Sequence, residues 1–371
     1  MPPFCGAISR KGPLAPDIKH RLKTLTDPQQ QSCLRNDSPD GLFTGFASQI
    51  LAGEGKASCE IPEYSVLFNG ILYNHKDLLP LLPENSRALA EKSTPLLIAH
   101  LFHKYNHACF SRLNGVFSLA LRDIPHRTFY LVNGKLQPRK IYYFFYEECL
   151  FFTEDMENII KISGIRPSVN ITFLPKYFAY GFVPSPNTLL EGIHRLPSGK
   201  FLLFEPDNMD LQTYWDIQFN DQNETSTIAK ETHYSEEVFR VLCQSAERRL
   251  NADSRTGLFL SGGLDSSSLV AALKHISPGI PLQTFTAVFD EKSFNEAPKA
   301  RTVASFFQTQ HHEILFTPQK ALTFVKDWIK EVDDPFSDDD IICGGVLSPI
   351  AEELVNDVFL GDGPDELFMG Y

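Results

Sequence analysis

Two glycine-containing loops in the last third of the chain hold the residue types that could do chemistry together. The first is Phe259-Leu-Ser-Gly-Gly-Leu-Asp-Ser-Ser267. Gly262 and Gly263 carry no side chain that would keep the backbone away from an anion. Backbone N–H groups and the start of a following helix can then face a phosphate. Ser261, Ser266 and Ser267 add hydroxyl donors. Asp265 suits a phosphate site only if a hard, oxygen-ligated cation such as Mg²⁺ lies between them. The plain alternative is an ordinary strand-to-helix turn with a capping Asp. The G-x-x-x-x-G-K-[ST] spacing of a γ-phosphate loop is missing. The second loop, Val358-Phe-Leu-Gly-Asp-Gly-Pro-Asp-Glu-Leu-Phe-Met-Gly-Tyr371, sets Asp362, Asp365 and Glu366 close together. Such charges repel unless something positive joins them. A Mg²⁺ shared with Asp265 would do so; a solvated acidic turn is the alternative.

The flanking patterns say which elements would hold these loops. An apolar run, Gly257 to Leu260, enters the first, and a helical run, Ser266 to Ile276, leaves it. A helix over Glu236–Leu250 precedes it. Strands over Thr284–Phe289 and Glu313–Phe316 alternate with helices over Glu296–Phe307, Gln319–Val332 and Val346–Leu354. That alternation predicts a parallel sheet covered by helices, with ligands at the carboxyl ends of its strands. The first half reads differently. Residues 1–60 are rich in Pro, Gly and Asp and read as irregular turns. Strands follow over Ser65–Asn69, Phe117–Arg122, Thr128–Val132, Ile141–Tyr146, Leu150–Phe152 and Phe201–Phe204. Helices read over Thr94–Tyr105, Asp155–Ile162 and Phe173–Phe178. This mixture predicts an α+β sandwich over 1–205. The polar stretch 206–232 reads as a linker, and 233–371 as the α/β domain.

At 371 residues the chain is long enough for two cores. A formal charge of −12 argues against a nucleic-acid backbone as partner. The seven cysteines (5, 33, 59, 109, 149, 243 and 343) are odd in number and contain no C-x-x-C. A reduced compartment fits them better than a disulfide framework or zinc site. No leader pattern and no apolar run of about 20 residues appears, so a cytoplasmic protein without a membrane span is expected.

Ser261-Gly-Gly-Leu-Asp-Ser-Ser267 and Gly361-Asp-Gly-Pro-Asp-Glu-Leu-Phe368 resemble the loops of asparagine synthetase and its relatives. Ala297–Ala304, Gln310-His-His-Glu313, Asp333-Asp-Pro-Phe336, Tyr180–Thr188 and Leu196-Pro-Ser-Gly199 agree. The resemblance implies a glutaminase-type sandwich of the N-terminal-nucleophile hydrolase class, followed by an ATP pyrophosphatase domain. The latter would adenylate aspartate or a related carboxylate, release pyrophosphate and transfer ammonia. It implies that Phe259, Leu260 and Ala287 hold adenosine through backbone contacts, and that Ser261, Gly262, Gly263, Asp265 and Ser266 cradle pyrophosphate. Asp265 and Asp365 would take Mg²⁺, and Leu360 and Gly361 would border the nucleotide. Asp362 stands where the family has Glu, in the position tied to forming the acyl-adenylate. Pro364 replaces a small residue and stiffens the loop.

The glutaminase half departs further. The family's nucleophile is an N-terminal Cys whose own amine serves as base. Here Cys5 sits behind Met1-Pro-Pro-Phe4, so that role requires cleavage after Phe4; otherwise it is a buried small thiol. Asn69-Gly70 matches the oxyanion pair, but Ile71 follows where Glu is usual. Ser48 replaces the Arg expected for the glutamine carboxylate, and Ser93 the acid expected for its amine. Asn133-Gly134 replaces an Arg-Asp pair. The chain stops at Tyr371, where family members continue, so the expectation is either a fragment or split product or a site completed by a separate chain; a homodimer is the other expected partner. The leading expectation is an ATP-dependent amide ligase using ammonia, glutamine or another amine. The alternatives are a peptide- or β-lactam-forming cyclase and a non-catalytic partner subunit.

Overall fold

The computed structural model describes residues 4–370 except 11, 26–30, 37–42, 49–57, 137–138, 219–227, 252–253 and 339. For 31–36, 43–48 and 228–230 it describes the backbone alone. Two compact units divide the chain. Unit 1 is Met1–Phe219 together with Asp333–Phe336, and unit 2 is Asn220–Val332 together with Ser337–Tyr371. No helix among the described residues is long and apolar enough to cross a membrane.

Unit 1 contains strands β1 (Cys5–Ser9), β2 (Gln31–Asn36), β3 (Phe43–Ser48), β4 (Ser58–Glu60), β5 (Tyr64–Leu72) and β6 (Gly115–Asp123). It continues with β7 (Thr128–Asn133), β8 (Tyr142–Tyr146), β9 (Cys149–Thr153), β10 (Ile193–Arg195), β11 (Lys200–Phe204) and β12 (Met209–Thr213). Its helices are α1 (Pro16–Thr24), α2 (His75–Leu78), α3 (Glu84–Ala90), α4 (Thr94–Tyr105), α5 (Met156–Ser163) and α6 (Leu174–Tyr180). The strands form two antiparallel sheets, ordered β10-β8-β9-β1-β3-β2 and β12-β11-β7-β6-β5-β4. Period-two alternation sends Phe4 and Ile8 to meet Leu67, Phe129, Phe152 and Leu202 between the sheets. The opposite side of β1, with Cys5 and Ala7, packs under Leu22 of α1 and Ile159 and Ile162 of α5. On the second sheet, Leu97, Ile98, Leu101 and Phe102 of α4 cover Phe68, Phe117 and Tyr130. The result is a helix–sheet–sheet–helix sandwich. Each fully buried apolar side chain contributes about 1.5–3 kcal/mol, so the Phe-rich composition is spent on these layers.

Two readings of the sequence need correction. Residues 1–60 hold β1, α1, β2, β3 and β4 rather than irregular turns. Their strand character comes from pairing: Cys5 lies opposite both Phe46 and Thr153, contacts invisible to local pattern. The stretch 206–232 is not all linker. It contains β12, which pairs with β11 from Lys200↔Thr213 to Phe204↔Met209, and the start of the next helix. An edge strand wetted on its outer side needs few apolar residues, so it looks like a loop in sequence.

Residues 333–336 complete unit 1. Asp333 Oδ1 accepts from Met156 N at the start of α5, 3.0 Å away. Asp334, 2% exposed, pairs with Arg195. The Lys140 ammonium lies 5.2 Å from the centre of the Phe336 ring.

Unit 2 contains α7 (Ile228–Arg249), β13 (Thr256–Phe259), α8 (Leu264–Ile276), β14 (Gln283–Val288) and α9 (Ala297–Phe307). There follow β15 (Gln310–Leu315), α10 (Pro318–Trp328), α11 (Asp340–Leu354), β16 (Asp357–Phe359) and α12 (Pro364–Phe368). The four strands are parallel in the order β15-β14-β13-β16. Leu269, Val270 and Leu273 of α8 and Ala300 and Ala304 of α9 cover one face, over Leu258 and Leu260. Leu347 and Ala351 of α11 cover the other, over Phe285. Helix α11 begins six residues before the predicted Val346, despite Gly344, Gly345 and Pro349. Gly345 serves packing, because a Cβ there would lie 2.1 Å from the Phe324 ring of α10.

Candidate active site

Strand β13 sits inside the sheet and ends at Phe259, and the glycine loop follows at its carboxyl end. Leu260 N donates to Phe285 O at 2.8 Å and Thr286 Oγ1 donates to Leu260 O, so the loop leaves from a fixed point. Gly262 has φ +79°, and a Cβ on it would lie 2.5 Å from Ala300 N. Only glycine meets both conditions without strain. Gly263 is the residue before α8 and supplies no capping side chain. The start of α8 therefore has no capping side chain among the described residues, as suits an anion. Ser261 Oγ accepts from Gly263 N at 3.2 Å and lies 3.0 Å from Ser266 Oγ. Ser267 Oγ is buried without a hydrogen-bond partner among the described residues.

The second loop leaves β16, the neighbour of β13. It comes directly against the first: a Cβ on Gly361 would lie 3.0 Å from Ser266 N and 3.4 Å from Asp265 C. Gly363 has φ +105° and Pro364 takes the first turn of α12. Pro364 thus occupies a position where a missing N–H costs nothing, which accounts for proline there. Desolvation, then repulsion from Asp340, Glu366 and Asp338, raises the Asp362 carboxyl above its ordinary value. Asp338 and Asp340, at the approach to α11, were not singled out by sequence; the chain fold alone brings them near Asp362. Phe259 and Leu360 line a groove of about 310 Å³ beside α11, with Val355 and Val358. Ala287 lies in β14, half-buried, opposite Ile314. Among the described residues, no three His, Cys, Asp or Glu side chains converge as a metal cage.

Unit 1 brings its predicted residues into a different arrangement. Cys5 is 0% exposed and lies on the helix-covered face of its sheet. Burial first, then Asp155 and Glu154, push its thiol up to about 12. Nothing in that setting favours a thiolate. Asn69 Nδ2 donates to Glu154 Oε2 at 2.6 Å. The same carboxylate accepts from Ser118 Oγ and, at 3.1 Å through each oxygen, from Arg139. Burial outweighs these partners and raises the Glu154 carboxyl. Gly70, at φ +141°, is needed by the sheet, since a Cβ there would lie 2.1 Å from Val116 O. Ser93 caps α4, its Oγ accepting from Leu96 N at 3.4 Å. Asn133 Nδ2 donates to Leu196 O at 2.8 Å. The Ser48 side chain and Met1–Pro3 lie outside the described residues. Glu154 and Arg139, the centre of this polar knot, carry no sequence signal of their own.

Comparison with known proteins agrees with this division. Residues 237–371 match the asparagine synthase family model, and residues 54–215 match that of the glutamine amidotransferase domain. Over its second unit the chain is thus similar to the asparagine synthetases. It is 24% identical over 382 residues to asparagine synthetase (glutamine-hydrolyzing) 1 of Bacillus subtilis, covering 99% of this chain and 59% of that protein. It is 25% identical to asparagine synthetase (glutamine-hydrolyzing) 3 of the same organism, covering 83% of this chain and 52% of that one. The chain spans little more than half the length of those proteins. Among solved structures, glutamine phosphoribosylpyrophosphate amidotransferase of B. subtilis aligns with 86% of this chain and 82% of its own, at 10% identity and a TM-score of 0.40.

Proposed function

We propose that unit 2 activates a carboxylate with ATP, releases pyrophosphate and transfers the acyl group to a nitrogen nucleophile. The observation that carries this reading is the meeting of the two loops at the ends of β13 and β16, with Gly361 against the N–H of Ser266. The uncapped start of α8 and the hydroxyls of Ser261 and Ser266 suit a pyrophosphate. Gly263 lets that anion approach the backbone. Phe259, Leu260, Ala287, Leu360 and Gly361 border the space for the nucleoside. Asp265 and Asp365 would hold Mg²⁺, a hard cation that takes oxygen ligands. When bound, that ion would draw charge from the bridging phosphate oxygens. Asp362, with its raised carboxyl, would take the part in forming the acyl-adenylate that the resemblance gives its position.

The nitrogen donor proposed is ammonia or a free amine rather than glutamine. Support comes from Cys5, buried with its thiol pushed up, and from Asn69, whose amide already serves Glu154. A cytoplasmic, ATP-rich setting belongs to the same proposal. The test is pyrophosphate release with ATP, Mg²⁺ and aspartate, with ammonia or glutamine added, for the chain and for Asp265→Asn. Release that needs aspartate and falls about a hundredfold in the variant supports the reading. Release that needs no carboxylate, or full activity of Asp265→Asn, refutes it.

A further inference from the structure

The two loops assembled above contain carboxylates and hydroxyls but no cation. Asp265, Asp362, Asp365 and Glu366 add negative charge to the two loops that would receive the polyphosphate. A pyrophosphate brings more negative charge than one divalent ion removes. A basic side chain near the first loop would meet that deficit, and helix α9 supplies one. The first turn of α9 forms the wall behind Gly262: a Cβ on that glycine would lie 2.7 Å from both the carbonyl carbon and the Cβ of Lys299. The Lys299 side chain therefore leaves the backbone at the loop itself. It is exposed, and its ammonium has no ion-pair partner among the described residues. Its neighbour Arg301 is committed elsewhere, through two hydrogen bonds of 2.8 and 2.9 Å to Glu313 of β15. That clamp, the burial of Ala297, Ala300 and Ala304, and the bond from Ala297 N to Asn295 Oδ1 at 3.2 Å hold α9 in place. A compact charge on a flexible four-carbon stem thus starts from a fixed base beside the loop.

We propose that Lys299 is the pyrophosphate-binding cation of the glycine loop, a role that rests on the adenylating reading of unit 2. In that reaction a carboxylate oxygen forms a bond to the α-phosphorus. The bond from that phosphorus to the bridging oxygen breaks, and pyrophosphate leaves with the electron pair. Lys299 donates hydrogen bonds to the departing phosphate oxygens and transfers no proton. Its place in the chain differs from that of a phosphate-loop lysine, since α9 brings it to the loop from the next strand–helix repeat.

The experiment is titration calorimetry of the full chain, Lys299→Ala and Lys299→Arg, with inorganic pyrophosphate plus MgCl₂ and, separately, with adenosine. Charged hydrogen bonds at an open site predict roughly tenfold weaker pyrophosphate binding in Lys299→Ala, with a shallower dependence on salt. Adenosine affinity should be unchanged, and Lys299→Arg should recover most of the loss. Unchanged pyrophosphate affinity in Lys299→Ala, with the unsubstituted chain binding normally, overturns the assignment and leaves the adenylating reading standing. Failure of the unsubstituted chain to bind pyrophosphate or ATP at all overturns both.

Discussion

Replacing Gly262 by alanine puts the geometry of the first loop under direct strain. The residue sits at φ +79°, where an L side chain costs about 1–2 kcal/mol. The new methyl would meet Ala300 N at 2.5 Å, about 0.9 Å inside ordinary contact, and that neighbour is helix backbone that cannot rotate away. Together these place the loss of unfolding free energy at about 2–4 kcal/mol. Gly279 supplies the control, since a Cβ there meets nothing within 4 Å and its φ lies outside the left-handed region. Gly279→Ala should be neutral or stabilising by about 0.4–1 kcal/mol. Urea unfolding followed by tryptophan fluorescence measures both, and pyrophosphate release reports the loop. The α9-backed loop predicts that Gly262→Ala loses activity at temperatures where it remains folded. Matching unfolding midpoints for the two variants would show that α9 does not fix this loop, and the positional argument would fail.

Asp334→Asn leaves the partly buried Arg195 without its counter-charge and should cost about 2–4 kcal/mol in denaturant unfolding; an unchanged midpoint would mean the pair contributes no net stability. Asp333 is held above its ordinary carboxyl value by burial and then by Asp155, with Lys140 opposing. The folded state therefore keeps a proton that the unfolded chain releases, so this group's contribution to stability should be greatest in acid and fall as pH rises from the ordinary aspartate range toward neutrality. Asp333→Asn should flatten that slope, as thermal melts across pH would record. Cys5, with its thiol at about 12, should resist iodoacetamide at pH 8 in the native chain, and Cys5→Ala should leave ammonia-dependent turnover unchanged. Rapid alkylation of Cys5, read by peptide mass spectrometry, would contradict its burial.

What could be read from the sequence follows how local each signal is. The glycine loop was legible because strand, Gly262-Gly263 and helix are contiguous, and α8 begins within two residues of its predicted start. Helix α4 matched at both ends, Thr94 and Tyr105, because Ser93 caps it and its apolar period is regular. Strand β1 was not legible, since Cys5–Ser9 acquires its form from partners at 43–46 and 149–153. Nor was the knot of Asn69, Ser118, Arg139 and Glu154, which draws one residue from each of four separate stretches. Lys299 escaped notice for the same reason: only the βαβ crossover delivers it to Gly262. Sequence also read Asp333-Asp-Pro-Phe336 as part of the α/β domain by position, whereas its contacts belong to unit 1.

That last feature orders events in time. A ribosome releases the chain from the N-terminus, and domains generally fold as they emerge. Here Arg195 and the start of α5 are synthesised long before Asp333 and Asp334 exist to meet them. By then β13, β14 and β15 have already been made, while β16, which closes the free side of β13, has not. Each unit thus waits on a segment encoded beyond part of the other. A nascent chain that ends before Asp333 leaves Arg195 of unit 1 without its carboxylate partner, so neither unit reaches its final form as an uninterrupted stretch of translation.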